Sequence, residues 1–183
     1  RVFYFLQGFS ASSFGRFATL FYLDRGLAAH QIGIIEAAQP AVQLFGRQLF
    51  GPIADRLQRK KAVWLLSRTL TTLMLMLLLV PPVGCCFGTI AVTMCAVALF
   101  SFSGSILDTY TLDLLGDARR GEYGRYRLWL AVSWGVGSMA MGNIADIDFD
   151  YNLIASGALS VLAIVLVAML LPARTRAEEA LLA

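Results

Sequence analysis

The sequence predicts an all-α polytopic membrane protein with six transmembrane helices. Three observations carry that expectation. Of 183 residues, 58% are hydrophobic and only 15% charged, against about 45–50% and about 25% in soluble globular chains. The mean hydropathy is +0.69. The basic residues gather between apolar runs rather than on one face, which argues against a nucleic-acid binder. In a bilayer only helices or closed barrels satisfy every backbone N–H and C=O, and the apolar runs do not alternate as barrel strands would.

A hydrocarbon core of about 30 Å requires about 20 apolar residues per helix. The spans are expected at residues 2–23, 31–50, 62–80, 86–107, 126–145 and 152–171. The first opens on Val2 and carries Gly8, Ser12, Arg16 and Thr19, a stripe of small and polar residues suited to close helix packing. The second carries Glu36, Gln39, Gln43 and Arg47, spaced 3, 4 and 4 apart. At about 100° per residue these lie on one face, within roughly 80°. A polar stripe is costly against lipid, so it is expected to line a cavity or to join a hydrogen-bond network between helices. Arg16 and Glu36 fall within about 3 Å of the same depth at about 1.5 Å rise per residue, and are expected to pair. Pro81-Pro82-Val83-Gly84 marks a tight connection after the third span. Ser101, Ser105 and Asp108 share a face of the fourth, where Asp108 is expected to meet Arg47 or Arg68. Gly135, Gly137 and Gly142 in the fifth suit close packing. The sixth ends in an apolar run with no charge.

Loop charge sets the expected orientation. Alternate connections carry Arg1, then Arg56, Arg59, Lys60 and Lys61, then Arg119, Arg120, Arg125 and Arg127, then Arg174 and Arg176. The opposite side has only Arg25. The N-terminus and the basic loops are therefore expected in the cytoplasm. Cys85, Cys86 and Cys95 form no disulfide framework. With His30 the lone histidine, no zinc site is expected, nor any cofactor. No nucleophile–base set or phosphate-cradling loop is present, so the chain is not expected to be an enzyme. The chain begins at Arg1 and ends after its sixth span, and is expected to be part of a longer protein.

The segment Gly51-Pro52-Ile53-Ala54-Asp55-Arg56-Leu57-Gln58-Arg59-Lys60-Lys61 resembles the signature loop between helices two and three of the major facilitator superfamily. Gln58 stands where that family usually has glycine. The resemblance implies the N-terminal half of a twelve-helix transporter whose C-terminal half lies outside this chain. It implies that Gly51, Asp55, Arg56, Arg59, Lys60 and Lys61 form a conformational latch against that half. On the residues alone, Asp55 is the anomaly, because a carboxylate at a helix C-terminus opposes the macrodipole. A second run, Tyr123-Gly124-Arg125-Tyr126-Arg127-Leu128-Trp129 with Leu107-Asp108, Leu114-Leu115 and Ser133-Trp134-Gly135, resembles the branch around domain-containing protein 6 of that superfamily. It is also similar to the lactose-permease-like symporters. The resemblance implies secondary transport of a small polar solute, by proton-coupled symport or facilitated uptake, with protons as the coupling partner; the fifth span lacks the glycine–proline pattern of antiporters. An orphan receptor or scaffold on the same fold is the alternative. Arg16, Glu36, Gln39, Gln43, Arg47 and Asp108 are the expected cavity residues, and the lipid bilayer and the missing half are the expected partners.

Overall fold

The computed structural model describes residues 2–175 and 178–179, so Arg1 and Arg176 of the basic side lie outside the described residues. Every regular element in it is helical. Helix α1 spans Val2–Asp24, α2 Ala29–Leu57, α3 Lys60–Met76, α4 Pro81–Gly84, α5 Phe87–Phe100, α6 Ser103–Arg119, α7 Tyr123–Ala145 and α8 Phe149–Leu170. Short 3₁₀ turns follow α3 and α6. Three helical stretches are long and apolar enough to cross a membrane: Lys60–Leu79, Phe87–Ala145 and Phe149–Leu170. Helices α1 and α2 have the length but not the composition. They are the two helices to which the sequence gives polar stripes.

Local chemistry explains the helix ends. Helix α1 closes at Gly26 with φ +77°, a left-handed conformation that glycine adopts without steric cost. Leu27 N–H then reaches Tyr22 O at 3.0 Å and Gly26 N–H reaches Leu23 O at 2.9 Å, which satisfies two terminal carbonyls. Gln31 Oε1 accepts from Ala28 N–H at 3.0 Å and so caps α2. Asp148 caps α8, accepting from Asp150 N–H at 2.8 Å.

Two boundaries differ from expectation. Helix α2 was expected to stop at Phe50, before Gly51-Pro52. It runs on to Leu57 with Pro40 and Pro52 inside it. The fourth apolar run is broken at Ser101–Phe102 into α5 and α6. The break is chemically supported. Ser67 Oγ donates to Phe100 O at 2.6 Å, and Gln43 Nε2 donates to Ser101 O at 3.3 Å. Carbonyls released by a break in an apolar setting need such partners.

Two close approaches draw the helices together. A Cβ on Gly8 would stand 2.2 Å from Ser133 Oγ and 2.4 Å from Leu130 O. A Cβ on Gly137 would stand 2.2 Å from Ser12 Oγ and 3.2 Å from Phe9 Cα. Gly8 and Ser12 of α1 thus mesh with Ser133 and Gly137 of α7, small residues four apart on each side. Gly46 of α2 does the same against Leu99 O, at 2.2 Å, next to the α5–α6 break.

The interior is layered. One apolar cluster holds Phe14, Phe21, Tyr22, Ile35, Leu78, Ile90, Met94 and Leu153. A second, toward the basic loops, holds Tyr4, Ala54, Trp64, Phe102, Ile106, Leu107 and Val167. Between them lie the buried polar residues Ser10, Ser67, Arg68, Ser156 and Ser160. Large apolar side chains face outward, with Val92, Met139 and Met169 more than 70% exposed.

Gly137→Val is expected to lower stability by about 1–3 kcal/mol through overpacking, read as a lower thermal midpoint in detergent. Gly135→Ala, where nothing lies within 4 Å, is the control and is expected to be neutral or slightly stabilising. Equal midpoints for the two variants would refute the α1–α7 contact.

Candidate functional site

The centre of the buried polar layer is Arg68 of α3, only 9% exposed. Its Nη2 donates to Ser10 Oγ at 2.5 Å and to Ser160 Oγ at 3.0 Å. The two hydroxyls lie 2.7 Å apart. The Nε of Arg68 is buried and has no hydrogen-bond partner. Among the described residues no carboxylate pairs with Arg68. Charge burial without a counter-charge is costly, and here two hydroxyls compensate only part of it.

Arg68 borders a cavity of about 210 Å³. Its polar wall includes Ser10 of α1, Gln39 of α2, Thr71 of α3, Ser101 at the α5–α6 break, and Ser156 and Ser160 of α8. Its apolar wall includes Phe14, Leu75, Met94 and Val97. Five helical segments therefore contribute to one site. Thr71 and Thr72 hydroxyls back-bond to Ser67 O and Arg68 O, both at 2.8 Å, which satisfies their donors within the helix.

The expected stripe on α2 divides three ways. Gln39 lines the cavity. Gln43 is spent on the break at Ser101. Glu36 and Arg47 are exposed. Arg16 and Glu36 do not pair. Arg16 lies over the Trp134 ring, 4.1 Å from its centroid, because α1 packs chiefly on α7 and α8 and only lightly on α2. Equal depth did not bring them together, because α1 and α2 touch only lightly.

Asp108 likewise meets neither Arg47 nor Arg68. Tyr4 Oη donates to Asp108 Oδ1 at 3.1 Å and lies 3.1 Å from Thr111 Oγ1. Among the described residues Asp108 pairs with Arg127, at 3.9 Å, whose guanidinium lies 6.0 Å from the Tyr123 ring centroid. Of the aromatic–basic run, Tyr123 and Arg127 thus turn toward Asp108, one helical turn apart. Gly124, Arg125 and Trp129 face outward.

In the signature loop, the lysines are tied down within the bundle. Lys60 pairs with Asp113. Lys61 Nζ donates to Ala168 O at 2.9 Å and Leu171 O at 2.6 Å, capping α8 where carbonyls are unpaired. Arg56 and Arg59 are exposed. The Asp55 carboxylate is exposed and has no partner among the described residues, and a Cβ on Gly51 would meet nothing within 4 Å. Gln58 adopts φ +46°, ψ +43°, the left-handed conformation that the glycine usual at this place takes freely.

Sequence reasoning passed over two groups. Arg68 was noted only as a partner for Asp108, and Ser10, Ser156 and Ser160 not at all. Their signal was one intramembrane arginine facing three serines on two other helices, which spacing within a single helix does not reveal. Glu178 was also missed. It is buried, accepts from Lys60 N–H at 2.8 Å and from Thr175 N–H at 2.9 Å, and Thr175 Oγ1 accepts from Glu178 N–H at 3.2 Å. Thr175-x-x-Glu178 is a legible capping-box pattern.

Gln58→Gly is expected to stabilise the protein by about 1 kcal/mol, the cost of placing a side chain in the left-handed region. The exposed bond from Gln58 Nε2 to Asp55 O, at 2.5 Å, offsets little of this. Thermal unfolding in detergent measures it, and a lower midpoint would show that the loop does not need the left-handed turn.

A family model described as MFS_1 like family matches residues 1–181. No curated protein matches the chain. With almost its whole length matched, the chain belongs to the MFS_1 like family of the major facilitator superfamily, whose members are membrane transporters.

Proposed function

We propose that the chain supplies the first six spans of a twelve-helix secondary transporter that moves a small polar solute by alternating access. In this reading α5 and α6 together make the fourth span, and the N-terminus and basic loops are cytoplasmic. The solute site lies at the Arg68 cavity, and the missing C-terminal half, the lipid bilayer and a coupled proton are the partners. The carrying observation is the cavity itself: polar groups from five helical segments converge between two apolar clusters. Superfamily transporters place substrate sites near the bilayer midplane between repeats.

The exposed charges add support. Arg16, Glu36 and Arg47 stand exposed on α1 and α2, where lipid contact would cost at least about 2.5–3.5 kcal/mol each at the helix centre. A second half facing α1 and α2 would shelter them. Asp55 fits the same picture, because its partner would come from that half. Glu36, without a cationic partner among the described residues, is the proposed proton carrier. The likeness of the Tyr123–Trp129 run to the domain-containing protein 6 branch and to lactose-permease-like symporters favours symport or facilitated uptake.

The test is reconstitution of the full-length protein in proteoliposomes. Solute-dependent uptake that responds to an imposed proton gradient is expected. Labelling of cysteines introduced at Arg59 and Arg125 from the cytoplasmic side alone, with one at Asp148 labelled from the other, is expected with it. A correctly oriented protein that moves no solute would favour the receptor or scaffold alternative.

Asp55→Asn is expected to shift the balance between inward-open and outward-open forms by about 1–3 kcal/mol, the range of typical couplings. Accessibility labelling on each face measures this. An unchanged ratio would show that Asp55 is not a latch.

A further inference from the structure

We infer that the cavity at Arg68 binds the oxyanion of a small hydroxylated solute, a carboxylate or a phosphate, with Arg68 as its counter-charge. The inference deepens the transporter reading and rests on it. A guanidinium is planar and presents five N–H donors, a geometry that matches two oxygens of a carboxylate or phosphate. Arg68 spends only Nη2, on the hydroxyls of Ser10 and Ser160. Its Nε–H is buried and unpartnered, and no acidic side chain among the described residues neutralises it. A buried, hydrogen-bonded charge of this kind is completed by an anion. Neutral donors and acceptors complete it poorly, because they leave the charge uncompensated.

The rest of the wall specifies what the anion is attached to. Gln39, Thr71, Ser101 and Ser156 present amide and hydroxyl groups, while Phe14 and Met94 close the site with apolar surface. Thr71 and Ser156 spend their hydroxyl protons on Ser67 O and Ser10 O and so accept from a solute hydroxyl, while an amide such as that of Gln39 and a hydroxyl such as that of Ser101 serve in either sense. At about 210 Å³ the cavity falls below the roughly 300–1,000 Å³ of drug-sized sites. The part of the site that these helices line thus suits a small solute, on the scale of a sugar acid or sugar phosphate. The other candidate surfaces point nowhere comparable. The groove at Val2, Tyr126 and Leu170 is apolar, and the recess at Asp113, Arg119 and Glu179 carries mixed charge at the basic end.

The experiment uses the full-length protein in detergent, with gluconate, glucose 6-phosphate and glucose as probes and potassium chloride holding ionic strength constant. Gluconate or glucose 6-phosphate is expected to raise the thermal midpoint by several degrees, as a ligand selective for the folded state does. Which of the two acts identifies carboxylate or phosphate. Glucose is expected to have no effect. Arg68→Lys keeps the charge but loses the fork, and is expected to weaken the anion's apparent affinity roughly tenfold. Arg68→Gln is expected to abolish protection. Should Arg68→Gln not fold, wild-type protein is treated with phenylglyoxal and mapped by peptide mass spectrometry. The protecting anion is then expected to slow modification of Arg68 and leave the exposed Arg56 and Arg59 unaffected. Protection by neither anion, equal protection by glucose, protection that persists in Arg68→Gln, or unslowed modification of Arg68 would overturn the inference. The two readings fail separately. Arg68-dependent anion binding without uptake into vesicles would retain the site and remove transport. Uptake of a neutral solute that survives Arg68→Gln would retain transport and remove the anion site.

Discussion

The structure depends on burying one guanidinium in the middle of an apolar bundle. Arg68 cannot be left to hydrocarbon, and no carboxylate among the described residues pairs with it. Serines are brought to it from α1 and α8 instead. That demand shapes the layers around it. The polar residues gather in one belt, and the aromatic and aliphatic clusters close the belt on both sides. Helices α5 and α8 carry their polar groups sparsely and lie in stretches apolar enough to cross a membrane. Helices α1 and α2 carry Gln7, Ser10, Arg16, Glu36, Gln39 and Gln43, and neither is among the stretches apolar enough to cross a membrane.

Backbone satisfaction is the second constraint, and side chains that look functional are partly used for it. Gln43 and Ser67 hold carbonyls at the α5–α6 break. Lys61 holds the last carbonyls of α8, and Glu178 takes the Lys60 N–H at the start of α3. Tyr110 Oη adds a bond to Pro172 O at 2.8 Å. The basic loop is thus more than a charge signal. Its two lysines tie α3 to α6 and α8 at one end of the bundle. At the other end Arg25 pairs with Asp150, which joins α8 to the turn after α1.

What was legible in the sequence was whatever a single helix reports about itself. The apolar runs, the loops between them and the small-residue stripes of α1 and α7 all follow from spacing, and Gly8, Ser12 and Gly137 do make the close contact. The cavity was half legible. Gln39 was found from the α2 stripe, yet Glu36, Gln43 and Arg47 share that stripe and do other things. A stripe fixes an angle on one helix, while a site depends on which neighbour that angle faces. Arg16 faces Trp134 because α1 and α7 mesh through glycine and serine, and no periodicity in α1 or α2 encodes that choice. The break at Ser101 was hidden for the same reason. It is stabilised by donors on two other helices and not by a proline or glycine of its own.

The division between used and unused charges has a consequence for assembly. Lys60, Lys61, Arg25 and Asp108 have partners inside these helices. Glu36, Arg47 and Asp55 have none among the described residues, and the last two stand toward the same end of α2. A helix that pays the insertion cost of charged groups and then leaves them unpaired gains nothing from them within the six-helix unit. In the proposed twelve-helix assembly their favourable interactions would lie on its open face. Helix α2 supplies both Gln39 to the cavity and this unpaired set to the outside. In the proposed twelve-helix assembly it would be the element through which docking of the second half and occupancy of the Arg68 cavity are coupled. Coupling of that kind requires a helix that contacts both sites and has two arrangements. Pro40 directly follows Gln39, and Pro52 lies between Arg47 and Asp55; each interrupts the hydrogen-bond ladder of the helix, where bending costs least.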